Sequence, residues 1–202
     1  MGSPRKGGVM NNFVTISGKV ITNLVFDYEY YDEKFYQFMI SVKRTSEAED
    51  IIPVIIAERL IDCTENIIGR NVRITGQFRS MCKKVDNKNR LILYLFPQEI
   101  EFLDAGFDKN EALIRGKICK EPTFRRTPQG RKISDVMIAV YRYHNKSDYI
   151  PCIAWGKNAR LLSELTMGME IEIEGRIQSR EYMKDGDRRT AYEVSIQEIG
   201  IP

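Results

Sequence analysis

The chain has 202 residues, a net charge of +3 and 43% hydrophobic residues, enough for one large domain or two of about 100 residues. No apolar run approaches the ~20 residues that a membrane helix needs, so we expect none. One histidine and four scattered cysteines without a C-x-x-C pair argue against a zinc site. We therefore expect reduced thiols and neither a metal nor a cofactor.

The chain repeats itself at an offset of 98 residues. Glycines and prolines recur at corresponding places: Gly18 with Gly116, Pro53 with Pro151 and, after one additional residue, Gly76 with Gly175. Matches that follow one another in the same order indicate duplication of one domain. We predict a disordered segment at residues 1–9, a first domain at 10–104, a linker at 105–110 and a second domain at 111–202.

Both halves have the hydrophobic alternation of short strands. The first half is predicted to hold strands near 13–21, 34–43, 51–57, 71–80 and 90–101, and a helix near 58–67. The second half is predicted to hold strands at 112–120, 132–143, 148–155, 169–179 and 192–199, a helix at 158–166, and loops at 121–131 and 183–189. Five strands with a helix between the third and fourth is the order of an OB-fold. The sequence thus predicts an all-β fold of two tandem OB barrels, each with its own sheet.

The strand at residues 148–155 carries two large rings on one side. Tyr149 and Trp155 share that side by period two, and the opposite side is small and aliphatic, as a core requires. Large rings along the open face of a strand form a platform on which nucleic-acid bases can stack. The alternative is that Trp155, the only tryptophan, is a core residue.

The positive charge of the second half gathers in its predicted loops. Residues 106–202 contain 17 Lys/Arg and 14 Asp/Glu. The cations that stand out are Arg125, Arg126, Arg131, Lys132, Lys157, Arg188 and Arg189. Cations at the rim of an OB barrel are placed to follow a nucleic-acid backbone. The alternative is that the loop cations are only solvated, and that Lys157 and Arg160 only flank the helix.

Three segments of the second half closely resemble bacterial single-stranded DNA-binding proteins. They are IRGKICKEPTFRRTPQGRKISDVMIAV at 114–140, DYIPCIAWGKNA at 148–159 and EIEGRIQSREYMKDGDRR at 172–189. The resemblance implies an OB barrel that binds single-stranded DNA independently of sequence and without catalysis. By the same resemblance, the rings that stack on DNA are Tyr149, Trp155 and Tyr182, with a fourth position near Tyr143 and His144.

The resemblance also implies the setting in which such a protein works. Members of the family protect DNA in replication, recombination or repair, and they usually assemble so that four OB barrels act together. A chain with two barrels would then form a homodimer. We expect a cytoplasmic, nucleoid-associated protein of bacterial or phage origin. Many members end in an acidic tail that recruits partners; no such tail is visible before Pro202, so tail-mediated recruitment is not implied.

The first half keeps the repeated glycines, prolines and aliphatic residues but differs from the family at the stacking positions. The residues that correspond to the three rings are Ile51, Ala57 and Lys83. Residues 10–105 hold 12 Lys/Arg and 14 Asp/Glu, a net charge of −2. A separate set of rings crowds residues 26–38, among acidic side chains that would repel phosphates. This ring cluster either packs or forms a subunit contact through Tyr30, Tyr31 and Tyr36, or it stacks on bases through Tyr28 and Tyr30.

Two other classes of function are open to this sequence. An OB-fold assembly or adaptor protein is the main alternative, in which the acidic first barrel serves protein–protein contact. An enzyme on this scaffold would need a carboxylate cluster with a metal ion or a general base. The single histidine, His144, and the lack of clustered inward carboxylates argue against an enzyme.

Overall fold

The computed structural model describes residues 11–202 apart from 86–87, 144 and 185. The disorder predicted for residues 1–9 therefore lies outside the described residues, and so does His144. Strands make up most of the described chain, because apolar and polar side chains alternate along it with period two.

The first half is a closed barrel. Its elements are β1 (Asn12–Val20), β2 (Val25–Tyr30), β3 (Glu33–Lys43), β4 (Glu49–Ala57), a 3-10 turn (Glu58–Leu60), β5 (Asn71–Val85) and β6 (Lys88–Leu103). β1 pairs with both β3 and β5, and β4 runs parallel to β6, which closes the sheet on itself. Inward residues such as Val14, Ile40 and Ile74 are fully buried.

The second half repeats this arrangement. Its elements are β7 (Lys109–Ile118), β8 (Thr123–Arg126), β9 (Lys132–Arg142), β10 (Lys146–Trp155), α1 (Gly156–Ser163), β11 (Glu170–Lys184) and β12 (Asp187–Gly200). β7 pairs with both β9 and β11, and β10 runs parallel to β12. The predicted all-β fold of two tandem OB barrels is confirmed.

A glycine bends one long strand of each barrel at an equivalent place. The ladder register shifts between Thr75 and Gly76 in β5 and between Glu174 and Gly175 in β11. A Cβ atom at Gly76 would lie 2.2 Å from the Phe96 carbonyl oxygen, and one at Gly175 would lie 2.3 Å from a carbonyl oxygen of β12. Only glycine allows this close approach, which lets the strand curve around the barrel.

β1 and β7 join the two barrels directly. They pair antiparallel, from Asn12 opposite Ile114 to Ser17 opposite Lys109. The described strands consequently form one sheet in the order β2-β3-β4-β6-β5-β1-β7-β11-β12-β10-β9-β8. The prediction that each barrel has its own sheet is therefore wrong. Each half leaves an edge of its first strand unpaired, and the other half satisfies the backbone groups of that edge.

The prediction of a helix near residues 58–67 is also wrong. Asp62 Oδ1 accepts a hydrogen bond from the Thr64 N–H at 2.9 Å, and Asn66 Oδ1 accepts one from the Ile68 N–H at 3.1 Å. These local turns compete with helical hydrogen bonds, so helical structure ends at Leu60. Two predicted loops contain strand instead: β8 lies within 121–131, and β11 and β12 extend into 183–189.

Candidate nucleic-acid interface

β10 places its two rings on the outer face of the second barrel. Tyr149 is 46% exposed and Trp155 is 40% exposed, whereas Ile150, Cys152 and Ala154 on the opposite side are at most 2% exposed. The alternation therefore holds at both ends of the strand. The interpretation of Trp155 as a core residue is wrong.

Arg125 lies on the same face as Trp155, two strands away. Trp155 is opposite Ile133 of β9, and Ile133 is opposite Arg125 of β8. Neighbouring strands are about 4.8 Å apart, so the two backbones are separated by roughly 10 Å. Arg125 Nε donates a hydrogen bond to Asp135 Oδ2 at 2.8 Å. An exposed pair of this kind contributes little to stability, which leaves the guanidinium able to exchange the carboxylate for a phosphate.

The turn between β8 and β9 carries further cations. Arg126 is opposite Lys132, and both Arg126 and Arg131 are exposed while Lys132 is half-buried. The Thr127 N–H donates to the Arg131 carbonyl at 2.9 Å, and the Arg131 N–H donates to Thr127 Oγ1 at 3.1 Å. These two bonds hold the turn closed, so the four predicted cations of this hairpin come together at one edge of the barrel.

The β11–β12 hairpin holds the third predicted ring. Tyr182 is opposite Arg189, and the Arg180 guanidinium lies 5.7 Å from the centre of the Tyr182 ring. Arg188 is strongly exposed and lies 3.5 Å from Glu181. Tyr182 is half-buried between these cations. The hairpin thus combines a ring with flanking positive charge.

The remaining predicted residues are exposed, whereas one further tyrosine of this barrel is packed. Lys157 is exposed directly after Trp155, because Gly156 turns the chain with φ +58. Tyr143 is 86% exposed just beyond the end of β9. Tyr192, in contrast, packs against the core, and burial raises its pKa. Arg160 is exposed in the last turn of α1.

The junction of the two barrels lies next to Tyr149. The Tyr149 N–H donates to Ser80 Oγ at 2.8 Å, and Asp148 Oδ1 accepts from the Ser80 N–H at 2.7 Å. Arg142 Nε lies 3.3 Å from the other oxygen of Asp148. Burial raises the pKa of Asp148, and the Ser80 hydrogen bond and Arg142 oppose that rise. The interpretation of the sequence missed this contact, although Asp50 and Asp148 recur at the repeat offset.

The first barrel has no ring at the three stacking positions. Ala57 is 1% exposed, Ile51 is half-buried, and the Lys83 ammonium lies 3.9 Å from Asp27. Of the three equivalents, Ala57 is therefore buried, Ile51 is partly covered, and Lys83 is in an ion pair.

The ring cluster at residues 26–38 divides into packed and exposed rings. Tyr28 stacks on the buried Phe35 with ring centres 4.7 Å apart. Burial, together with Tyr94 and Asp27, raises the pKa of Tyr28 to about 12. Tyr36 packs against the main core. Tyr30 and Tyr31 remain 58% and 86% exposed at the tip of the β2–β3 hairpin.

Other kinds of site find no support in the part of the chain that the structure describes. Its His, Cys, Asp and Glu side chains form no group of three that could hold a metal ion. Its helices include none long and apolar enough to cross a membrane.

Two joined OB barrels with an outer face of rings and cations define a tandem OB-fold protein. Residues 109–202, which form the second barrel, match the model of the Single-strand binding protein family. The fold is similar to that of the wild-type single-stranded DNA binding protein from Thermus aquaticus. The TM-score is 0.78 at 17% identity, over 95% of this chain and 92% of that one.

Relatives of known name match a little under half of the chain. A single-stranded DNA-binding protein 2 from Listeria innocua is 31% identical over 98 residues, which is 45% of this chain and 62% of that protein. A single-stranded DNA-binding protein from Bacillus cereus is 30% identical over 98 residues, 45% of this chain and 58% of that protein. The match thus spans about three fifths of the length of these relatives.

Proposed function

We propose that this protein binds single-stranded DNA independently of sequence and without catalysis. Bases stack on Tyr149, Trp155 and Tyr182, and phosphates contact the surrounding cations. The observation that carries the proposal is the exposure of Trp155 on the outer face of β10, with Arg125 on the same face two strands away. Stacking rings accept any base because they contact the flat face of the base and do not read its edge.

The cations border these rings on both sides. The proposed phosphate contacts are Arg125, Arg126, Arg131, Lys132, Lys157, Arg188 and Arg189, and Tyr143 is the proposed fourth ring. Arginine and lysine side chains at these positions would release counterions from the strand, so affinity should fall steeply with salt. Sequence-tolerant stacking with a strong salt dependence suits the protection of DNA in replication, recombination or repair.

Intrinsic fluorescence tests the proposal, because Trp155 is the only tryptophan. Titration with oligothymidine at low salt should quench its emission, and duplex DNA of the same length serves as the control. An emission that oligothymidine leaves unchanged, together with no binding by sedimentation, would overturn the proposal.

We further propose the organisation in which the barrels act. Residues 10–104 and 111–202 are the two domains, and two chains form a homodimer that presents four barrels at the nucleoid. The exposed rings Tyr30 and Tyr31 support a protein contact, because tyrosines are enriched at the centres of interfaces. Sedimentation equilibrium without DNA tests the dimer, and a mass near 23.5 kDa at micromolar concentration would contradict it.

A further inference from the structure

A groove on the second barrel continues the outer face beyond Tyr149. Strands β7, β9, β10 and β11 line it, and the side chains that matter are Arg115, Lys117, Tyr141 and Glu170. Its volume is about 550 Å³, within the range of about 300–1,000 Å³ that is usual for small-molecule sites. The groove is therefore large enough to hold a nucleotide.

Tyr141 is the ring of this groove, and it is a close neighbour of Tyr149. In the β9–β10 ladder, Tyr141 is opposite Ser147. Tyr149 is opposite Ala139 in the same ladder, so the two tyrosines are diagonal neighbours with backbones about 7–8 Å apart. Tyr141 is 56% exposed, whereas the adjacent Val140 is fully buried, which places Tyr141 on the outer face. The interpretation of the sequence assigned no role to Tyr141.

Two cations of β7 line the same groove. Lys117 is exposed and lies opposite Ala139 in the β7–β9 ladder. Arg115 Nε donates a hydrogen bond to Glu170 Oε1 at 2.9 Å, and both side chains are partly exposed. Such a pair contributes little to stability, so the guanidinium can exchange the carboxylate for a phosphate. Two positive side chains and one negative side chain give the lining a net charge of +1.

The equivalent groove of the first barrel is built differently. Lys43 and Glu49 stand there at the positions of Tyr141 and Ser147. Its volume is about 240 Å³, and residues 106–108 of the chain line it. The Lys43 N–H donates a hydrogen bond to Asp108 Oδ1 at 2.9 Å. Since Glu49 and Asp108 add carboxylates that would repel phosphates, the groove that suits nucleic acid is on the barrel that carries the platform.

We propose that this groove extends the DNA interface: one base stacks on Tyr141, and the adjoining phosphates contact Arg115 and Lys117. The strand follows β10 from Trp155 to Tyr149, six residues or about 20 Å, and then crosses to β9. Asn11, which directly precedes β1, also lines the groove, so the strand is led towards the β1–β7 ladder.

The inference rests on the proposed function and adds a subsite to it. It is compatible with the proposed homodimer, because the exposed rings Tyr30 and Tyr31, which support the protein contact, belong to the first barrel. The groove and that contact therefore use different surfaces, and DNA can occupy the groove while the four barrels stay together.

Removal of the ring tests the stacking contact. Tyr141→Ala should weaken binding of oligothymidine roughly 5- to 150-fold, the factor that corresponds to ~1–3 kcal/mol for one stacked base. Tyr141→Phe keeps the ring and should bind as wild type does. The ring is exposed, and Asn11 Nδ2 donates its hydrogen bond to the Tyr141 backbone carbonyl, so both variants should keep the melting temperature of wild type. Equal affinities of Tyr141→Ala and wild type would overturn the stacking contact.

The salt dependence tests the phosphate contact. Lys117→Ala should lower the slope of log K against log salt by about 0.7, the contribution of one phosphate contact on a single strand. Lys19 is the equivalent lysine in the groove of the first barrel, so Lys19→Ala is the matched control and should leave the slope unchanged. A slope that Lys117→Ala leaves unchanged would overturn the phosphate contact at Lys117.

Ultraviolet crosslinking to oligothymidine locates the strand directly. Trypsin releases Tyr141 in the peptide 133–142, of which it is the only aromatic residue, and Tyr149 with Trp155 in the peptide 147–157. Mass spectrometry should find thymine joined to Tyr141 as well as to the peptide 147–157.

The outcomes separate this inference from the proposed function. Crosslinks to the peptide 147–157 without any to Tyr141 would overturn the groove and leave the proposed function standing. The same result would follow if residues 8–10, which correspond to 106–108 at the repeat offset, covered the groove. Crosslinks to neither peptide, with no quenching of Trp155, would overturn both.

Discussion

Asp50 and Asp148 occupy equivalent positions 98 residues apart, and each accepts a backbone hydrogen bond from a serine of the other barrel. The Ser179 N–H donates to Asp50 Oδ1 at 2.7 Å, and the Ser80 N–H donates to Asp148 Oδ1 at 2.7 Å. The two aspartates thus bridge the barrels on both sides of the β1–β7 ladder.

The two bridges differ in their arginines. Asp50 accepts hydrogen bonds from Arg44 Nε at 2.8 Å and from Arg176 Nη1 at 2.9 Å. Asp148 lies 3.3 Å from Arg142 Nε, a distance that suits an ion pair, but the groups are not aligned for a hydrogen bond. Both carboxylates are at most 1% exposed, so Asp50 is the better compensated of the two.

Asp50→Asn should therefore destabilise the protein more than Asp148→Asn. Removing the charge of Asp50 leaves two arginines facing a neutral amide, and we expect a loss of about 3 kcal/mol, against about 1 kcal/mol for Asp148→Asn. Urea unfolding of the two variants measures the difference. Equal losses of stability in the two variants would show that the two arginines give the Asp50 bridge no additional stability.

The pH dependence of stability should carry the signature of Asp148. Its folded-state pKa is raised by burial, so the folded protein holds this proton more tightly than the unfolded chain. The contribution of Asp148 is then greatest below the ordinary aspartate pKa of about 3.9 and declines as pH rises through the folded-state pKa. The stability difference between wild type and Asp148→Asn should shrink as the pH rises from about 3.9 through the folded-state pKa of Asp148. A stability difference that grows with pH would show that folding lowers the pKa of Asp148 and does not raise it.

Trp155→Ala should weaken binding to oligothymidine at every salt concentration. A stacked ring contributes roughly 1–3 kcal/mol per base and involves no counterion release, so the salt slope should stay the same. Fluorescence anisotropy with a labelled oligonucleotide measures both quantities. Phe107→Ala, which removes a ring that is 45% exposed in the segment between β6 and β7, is the matched control and should bind as wild type does.

Arg125→Ala with Arg126→Ala should flatten the salt dependence instead. Each phosphate contact on a single strand contributes about 0.7 to the slope of log K against log salt, so the slope should fall by about 1.4. Lys19→Ala with Lys43→Ala removes the same charge from exposed lysines of the first barrel and should leave the slope unchanged. An unaltered salt slope in the arginine variant would show that Arg125 and Arg126 are only solvated and contact no phosphate.

The second barrel should carry most of the affinity for DNA. Because the barrels share the β1–β7 ladder, substitutions test this better than separated halves. Tyr149→Ala with Tyr182→Ala should weaken binding strongly, whereas Tyr30→Ala with Tyr31→Ala should not weaken it. A similar loss in both would identify the tip of the first barrel as a second stacking platform.

Alternation in the sequence predicted the strands of both barrels and the shared side of Tyr149 and Trp155, and the structure shows that this side is the outer face. Tyr149 and Trp155 are exposed because the opposite side of β10 offers better core residues, a preference that is local to the strand. The helix near 58–67 failed for a local reason as well: Asp62 and Asn66 form turns that periodicity does not reveal.

The junction could not be predicted in the same way. Ser80 lies 68 residues before Asp148, and Ser179 lies 129 residues after Asp50, so no local pattern links them. The pairing of β1 with β7 depends on which edge each closed barrel leaves open. That edge is decided by tertiary geometry and not by the composition of either strand.

The β1–β7 ladder also frees the two barrels from having identical surfaces. In a pair of barrels made from two copies of one chain, every substitution appears on both sides. Here one covalent chain supplies both partners of the ladder, and dilution cannot separate them. A carboxylate can therefore be acquired on one barrel and an arginine at the equivalent place on the other, as residues 25–37 and 123–135 show. Two covalently joined barrels can therefore take on different functions, whereas two identical copies in a symmetric pair cannot.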